Sequence, residues 1–374
     1  MGLFYKANKG HLIDFTLELK GEWYNEIREE TRSRFLAPEW YAQSGVEIVW
    51  PTEETDWAYM LDEVTEVYIR MTYEIASRER LLIVTSAPEK IGVILKRHMP
   101  AKALDNITIA ESEINDTWAR DTGFLTVLGP NGAELMDFKF NGWGLKFAAN
   151  KDNLITGKIF QSQLFNAQYI NCLNFVIEGG SIESDGKGTL LTTSECLLSP
   201  NRNGAWNKDQ IEQYLKENLG ISRILWLDHG FLEGDDTDSH IDTLARFCPN
   251  DTITYIQCND PKDHHYKALK DMESQLQSFR TQDNRPFRLL PLPMANEIVF
   301  DNERLPATYA NFLIINGAVL YPTYNQPIND SRTAEILTTA FPERQIIGID
   351  CRALIKQHGS LHCVTMQYPK NVIK

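Results

Sequence analysis

Several familiar protein classes leave no mark on this 374-residue chain. It contains no run of about 18 apolar residues, so no segment reads as a membrane-spanning helix. The six cysteines, at 172, 196, 248, 258, 351 and 363, include no C-x-x-C pair. That spacing argues against a zinc ribbon, and cysteines scattered through so long a chain do not read as a disulfide framework. Most are expected to be buried thiols. Positive charge is scarce: 37 Lys and Arg stand against 51 Asp and Glu, a net charge of −14. Phosphate neutralisation needs Lys and Arg, so no nucleic-acid partner is expected. The opening "MGLFYKANKGHLIDFTLELKGEW" lacks an apolar core and a small-residue cleavage site. With Lys6 it also lacks the myristoylation pattern, so a cytoplasmic protein without a membrane partner is expected.

Linkers rich in Gly, Ser or Pro are missing too, and composition does not break along the chain. What is present is an alternation of strand-like and helix-like stretches. "GVEIVW", "RLLIVTS", "NITIAES", "RILWLD", "ITYIQC" and "QIIGID" read as strands. Leu61, Val64, Tyr68, Met71 and Ile75 fall at helical spacing and mark one apolar face. "NKDQIEQYLKENLG" has Asn at the start and Gly at the end, as a capped helix does. The pattern is α/β throughout, and periodicity alone suggests a doubly wound sheet. Residues 1–33 are more polar and are expected to form an N-terminal extension. Residues 34–374 are expected to form a single domain.

Polar clusters follow the strands, where α/β folds build sites. The densest is "GDDTDSHIDTLARF", with Asp235, Asp236, Asp238, His240 and Asp242. Read as an extended strand, residues 236, 238, 240 and 242 share a face and offer metal ligands. The stretch has only one His, and it lacks the Gly and Glu of an EF-hand loop, which weakens that reading. An acidic solvated loop is the plainer alternative. Cys363 in "GSLHCVTMQ" follows a Gly-containing turn, and two more acids stand in "WARDTG" and "EGGSIESDGKGT".

Together Asp121, Glu178, His240, Asp242 and Cys363 have a chemical logic. Two carboxylates accept the fork of a guanidinium. A thiolate attacks its central carbon, and an imidazolium protonates departing ammonia.

From "RFLAPEWYAQSGVEIVWPTEETDW" to "LHCVTMQYP" the sequence resembles the agmatine deiminase and bacterial peptidylarginine deiminase family, within the guanidino-group-modifying superfamily. "WARDTG", "EGGSIESDGKGTLLTT", "CLLSPNRN", "GDDTDSHIDTLARF", "YPTYNQPIND" and "GSLHCVTMQ" carry the resemblance in this order. It implies a five-bladed, pseudo-symmetric α/β propeller of ββαβ units, in place of the doubly wound sheet. It implies Cys363 as nucleophile, His240 as general acid and then base, Asp121 and Asp242 as guanidinium clamps, and Glu178 as the acid that orients the His. Trp118 is implied as a pocket wall and Asp236 as a reader of the substrate's far end. The implied activity is hydrolysis of agmatine to N-carbamoylputrescine and ammonia, with no cofactor, no metal and a small cationic guanidine as partner. Arginyl peptides, amidino transfer, metal-dependent hydrolysis and non-catalytic guanidine binding are the alternatives, and self-association is left open. Phe124 stands where the family often has Pro, Ser239 where Gly is common, and "HGSLHC" where the family's run is richer in Gly.

Overall fold

A computed structural model describes residues 34–374. The expected extension, residues 1–33, lies outside the described residues. The chain folds as a mixed α/β protein whose strands are distributed over separate sheets, not one doubly wound sheet.

Five sheets repeat one connection. Leu125–Gly129 and Gly132–Lys139 pair antiparallel, and Gln168–Val176 then adds in parallel. Ile182–Ser184, Thr189–Thr193 and Arg223–Leu227 repeat this order. So do Ala245–Cys248, Thr252–Gln257 and Arg288–Pro293, and Leu313–Ile315, Ala318–Thr323 and Gln345–Asp350. The fifth sheet joins the two ends of the described chain. Thr365–Pro369 pairs antiparallel with Gln43–Val49, beside which Arg80–Thr85 and Ile107–Glu111 run in parallel. A parallel third strand needs a crossover, and in each case a helix lies within that crossover.

The helices obey their sequence signals. Leu61–Ala76 buries Val64, Tyr68, Met71 and Ile75 on one face. In Lys208–Leu219, Asn207 and Gln210 exchange a reciprocal capping box, and Gly220 ends the helix in the left-handed conformation. Tyr266–Ser278 and Pro327–Ala340 complete the crossovers of the third and fourth sheets. All six cysteines are free and buried. No helix of the described residues is long and apolar enough to cross a membrane.

Candidate active site

Four segments that end or follow strands supply the candidate residues. Trp118 precedes the single turn Ala119–Thr122, which carries Asp121. Glu178 precedes the turn Gly179–Ser181. His240 precedes the turn Ile241–Thr243, which carries Asp242. Cys363 lies just before strand Thr365–Pro369, and the amide of Arg120 donates to its carbonyl at 3.0 Å. Asp121, Glu178, His240, Asp242 and Cys363 are all buried.

Gly180 explains the double glycine of "EGG". A Cβ there would stand 2.6 Å from His240 Nδ1 and 3.0 Å from both Asp121 Oδ1 and Asp242 Oδ2. The three groups thus ring one point, and only a residue without a side chain fits among them. The Gly180 amide also donates to Asp121 Oδ1 at 2.9 Å. Gly359 has the same cause, since a Cβ there would overlap the Trp118 ring at 2.0 Å.

His240 sits between two carboxylates, with Nδ1 3.7 Å from Asp121 Oδ1 and Nε2 3.8 Å from Glu178 Oε2. Burial alone pushes its basicity down, but the Asp121 charge and the neighbouring Cys196 and Glu178 more than offset that and hold it well above the usual histidine range. Glu178 is buried, yet His240 and Arg202 keep its carboxyl low. Arg202 Nε donates to both Glu178 oxygens, at 3.0 and 2.8 Å. Asp121 moves the other way: burial pushes it up, with help from the Asp242 and Glu178 charges. In Asp242, burial is outweighed by the hydrogen bond and charge of His362, so its carboxyl stays low.

The thiol of Cys363 lies 3.4 Å from Asn311 Oδ1 and 4.0 Å from Asp242 Oδ2. Burial, then the Asp242 and Asp121 charges, push it well above the ordinary cysteine range. Two buried side-chain atoms here lack any hydrogen-bond partner: His240 Nε2 and Asp242 Oδ1. Nε2 faces Glu178 Oε2 at 3.8 Å, too long for a hydrogen bond, and Asp242 Oδ1 is left as a buried acceptor of the kind that is nearly always paired.

The acidic loop is neither a strand nor a cage. Asp238 and Ser239 both adopt positive φ, 64° and 59°, which breaks the expected alternation of residues 236, 238, 240 and 242 on one face. It also explains why glycine suits position 239. Asp235 folds the loop on itself by accepting from Thr237 Oγ1 at 2.6 Å and from the Ser239 amide at 2.7 Å. Asp238 accepts from Arg202 and Lys146, each at 2.5 Å. Asp236 is half-buried, and burial and then Asp235 push its carboxyl up. Among the described residues, two acid clusters have metal-ligand spacing, Glu178 with Cys196 and His240, and Glu39 with Glu183 and His362. Each is already neutralised by an arginine, Arg202 in the first and Arg246 in the second.

Trp118 lies between Trp57 and Trp143, and its indole donates to Asp116 Oδ2 at 2.9 Å. Sequence reasoning missed Trp143, which donates to Asp121 Oδ2 at 2.9 Å from a loop where φ is positive at four successive residues, 142–145. It also missed Asn311, whose Oδ1 accepts from the amides of His362 and Cys363 at 2.9 and 3.3 Å. The Gly residues around Trp143 were the available signal for the first; nothing local marks Asn311. A cavity of about 930 Å³ lies elsewhere, against Pro38, Trp40, Lys187 and Asn250, and holds none of the candidate residues.

Comparison with known proteins agrees with this chemistry. Residues 35–369 match the model of the Porphyromonas-type peptidyl-arginine deiminase family. An agmatine deiminase of Pseudomonas syringae pv. tomato is 31% identical, over 89% of this chain and 95% of its own. A Porphyromonas gingivalis structure described as a "putative arginine deiminase" is 50% identical, with a TM-score of 0.87 over 91% of this chain and 100% of its own. A C. jejuni agmatine deiminase solved with substrate bound is 36% identical, with a TM-score of 0.83 over 90% and 97% of the two chains. The chain belongs to the agmatine deiminase and bacterial peptidylarginine deiminase family and is a hydrolase of the guanidino carbon–nitrogen bond.

Proposed function

We propose that this hydrolase deiminates agmatine through a covalent intermediate on Cys363. The observation that carries this reading is the convergence of His240 Nδ1, Asp121 Oδ1 and Asp242 Oδ2 on one point at Gly180, with the Cys363 thiol 4.0 Å from that Asp242 oxygen and Asp242 Oδ1 unpartnered. A guanidinium between Asp121 and Asp242 supplies the cation that two buried carboxylates need. Its arrival also offsets the negative charges that hold the thiol protonated, so substrate binding activates the nucleophile.

As the cation arrives the Cys363 thiol loses its proton to solvent, and the thiolate attacks the guanidinium carbon. His240, kept protonated by its carboxylate neighbours, gives its proton to the departing nitrogen. The carbon–nitrogen bond breaks, ammonia leaves and an amidino thioester cation remains on sulfur. A water molecule loses a proton to His240 and attacks the same carbon. Expulsion of the thiolate leaves the ureido product, and the net change is guanidinium plus water to urea plus ammonium. Glu178, fixed by Arg202, orients His240. Trp118 forms a wall of the pocket, and Asp236 reads the ammonium at the substrate's far end. No cofactor enters these steps.

Agmatine is favoured over arginine because arginine brings an α-carboxylate. The arginines of the family motifs are engaged: Arg120 with Glu39 and Gln367, Arg202 with Glu178 and Asp238, Arg246 with Glu39 and Glu183. A buried carboxylate without a partner costs several kcal/mol. We further read residues 34–374 as one domain, with the five sheets as blades of a pseudo-symmetric propeller around the site. The repeated antiparallel-then-parallel order and the pairing of Thr365–Pro369 with Gln43–Val49 support that reading. A cytoplasmic location remains part of the proposal.

The test is ammonia release from agmatine, arginine and an arginyl peptide at equal concentration, with Cys363→Ser as control. Agmatine is expected to exceed arginine by about a hundredfold or more. Preference for the peptide would keep the chemistry and replace the substrate.

A further inference from the structure

His362, the residue before the nucleophile, is fully buried, and both of its ring nitrogens face carboxylates. Nδ1 is 2.7 Å from Asp242 Oδ2, and Nε2 is 2.7 Å from Glu39 Oε1. A carboxylate only accepts hydrogen bonds, so Nδ1 meets Asp242 by donating to it. Nε2 faces an acceptor, Glu39 Oε1, and a donor, Arg246 Nη2 at 3.0 Å, which also donates to Glu39 Oε2. The charged groups around the ring are therefore Asp242 on one side, and Glu39 and Arg246 on the other. Glu39 is in turn paired with Arg246 and Arg120, and Arg246 with Glu183.

We infer that His362 is a positioning residue for the reaction: it ties down one oxygen of Asp242, keeps that carboxylate ionised and leaves Oδ1 as the oxygen offered to a guanidinium. The inference rests on the reading of Asp242 as a guanidinium clamp. Asp242 is fully buried and faces Asp121, His240, Arg246 and the Cys363 thiol as well as His362. Without a donor on Oδ2, two things change. The carboxylate becomes free to rotate, and protonation in so dry a place becomes easier. Both weaken the hold on a cation before any bond is made or broken. The second oxygen fits this division of labour, since Oδ1 is buried and without a hydrogen-bond partner while Oδ2 is engaged. The carbonyl of Asp242 is tied to the same neighbourhood, 3.5 Å from Asn311 Nδ2, so the backbone is held independently of His362.

The experiment compares the wild-type chain with His362→Gln, using agmatine at several pH values. Wild-type turnover of agmatine is the first reading, and its absence sinks the proposed function on which this inference stands. With turnover established, His362→Gln is expected to raise KM about tenfold or more, the size of a hydrogen bond to a charged group, with a smaller effect on kcat. The ratio of variant to wild-type KM should grow as pH falls. Asp121 titrates in both proteins and cancels from that ratio, whereas Asp242 protonates more easily only in the variant. A purely structural role would lower the active fraction, seen as reduced kcat at constant KM and at every pH. That outcome overturns the inference. Imidazole nitrogen NMR on the unsubstituted chain needs no variant to fold. A hydrogen on Nδ1 of His362, bonded to Asp242, is expected, and a bare Nδ1 overturns the inference.

Discussion

The thiol of Cys363 stands 4.0 Å from Asp242 Oδ2, so the nucleophile rests beside a carboxylate that opposes its ionisation. An anion beside a nucleophilic thiol is a poor arrangement unless a cation arrives between them. Asp242→Asn should therefore move two observables in opposite directions. Turnover should fall by roughly 150- to 5,000-fold, the cost of about 3–5 kcal/mol for breaking a buried ion pair. Alkylation of Cys363 by neutral iodoacetamide at pH 7 should become faster, because one of the charges that hold the thiol protonated is gone. Slower alkylation would remove Asp242 from the thiol's environment.

Trp143 fixes the other carboxylate through its indole hydrogen on Asp121 Oδ2. Trp143→Phe keeps most of the apolar contact with Trp118, Phe140 and Phe147 but loses that donor. We expect kcat/KM for agmatine to fall about tenfold or more. Burial already pushes the Asp121 carboxyl up. Activity should fall as pH drops through its titration, and losing the donor should move that acid limb to higher pH. An unmoved limb would mean that the indole bond does not stabilise the ionised form.

Stability carries its own pH signature, apart from the site. Glu47 is fully buried, with Oε2 accepting from Tyr368 at 2.5 Å and Oε1 unpartnered. Burial pushes its carboxyl from an ordinary value of 4.5 to about 7, against a smaller opposing pull from the Tyr368 hydrogen bond. The folded chain thus holds this proton more tightly than the unfolded chain. Its contribution to stability is complete below the unfolded value and is lost as pH rises toward 7 and beyond. Glu47→Gln should raise Tm at pH 8, by on the order of 1–3 kcal/mol in stability, and change it little at pH 4. Equal effects at both pH values would contradict the burial argument.

Chelation distinguishes the two uses of the acid clusters. Glu178 and Glu183 already pair with Arg202 and Arg246, so a divalent cation would have to displace an arginine at either cluster. Activity is expected to survive EDTA with no added metal. Loss on chelation, with recovery on adding back zinc or manganese, would reverse this assignment.

The sequence was legible where chemistry and local geometry coincide. The helix of residues 208–219 follows from Asn207 and Gly220, and the separate acids, His and Cys of four loops pointed to one pocket. At residues 235–239 the pattern left both an extended strand and an acidic loop open, because alternation carries no trace of the left-handed Asp238 and Ser239. Asn311 was not identified as part of the site, and the tie of Arg202 to Glu178 and Asp238 was not foreseen, because both act through contacts made only in three dimensions. Arg202 bridges Glu178 to Asp238, and Asn311 accepts from the backbone of His362 and Cys363. Fivefold repetition was hidden for a related reason. The crossovers differ in length and helix content, and only strand register displays the common order.

The most direct test of the central claim is mass spectrometry of the protein quenched during turnover of agmatine, with His240→Ala to slow the loss of the intermediate. An amidino group on the peptide containing Cys363 is expected, and on none of the peptides containing the other five cysteines. Ammonia release by the wild-type chain with no adduct on any quenched sample, or an adduct on a different cysteine, would contradict the account.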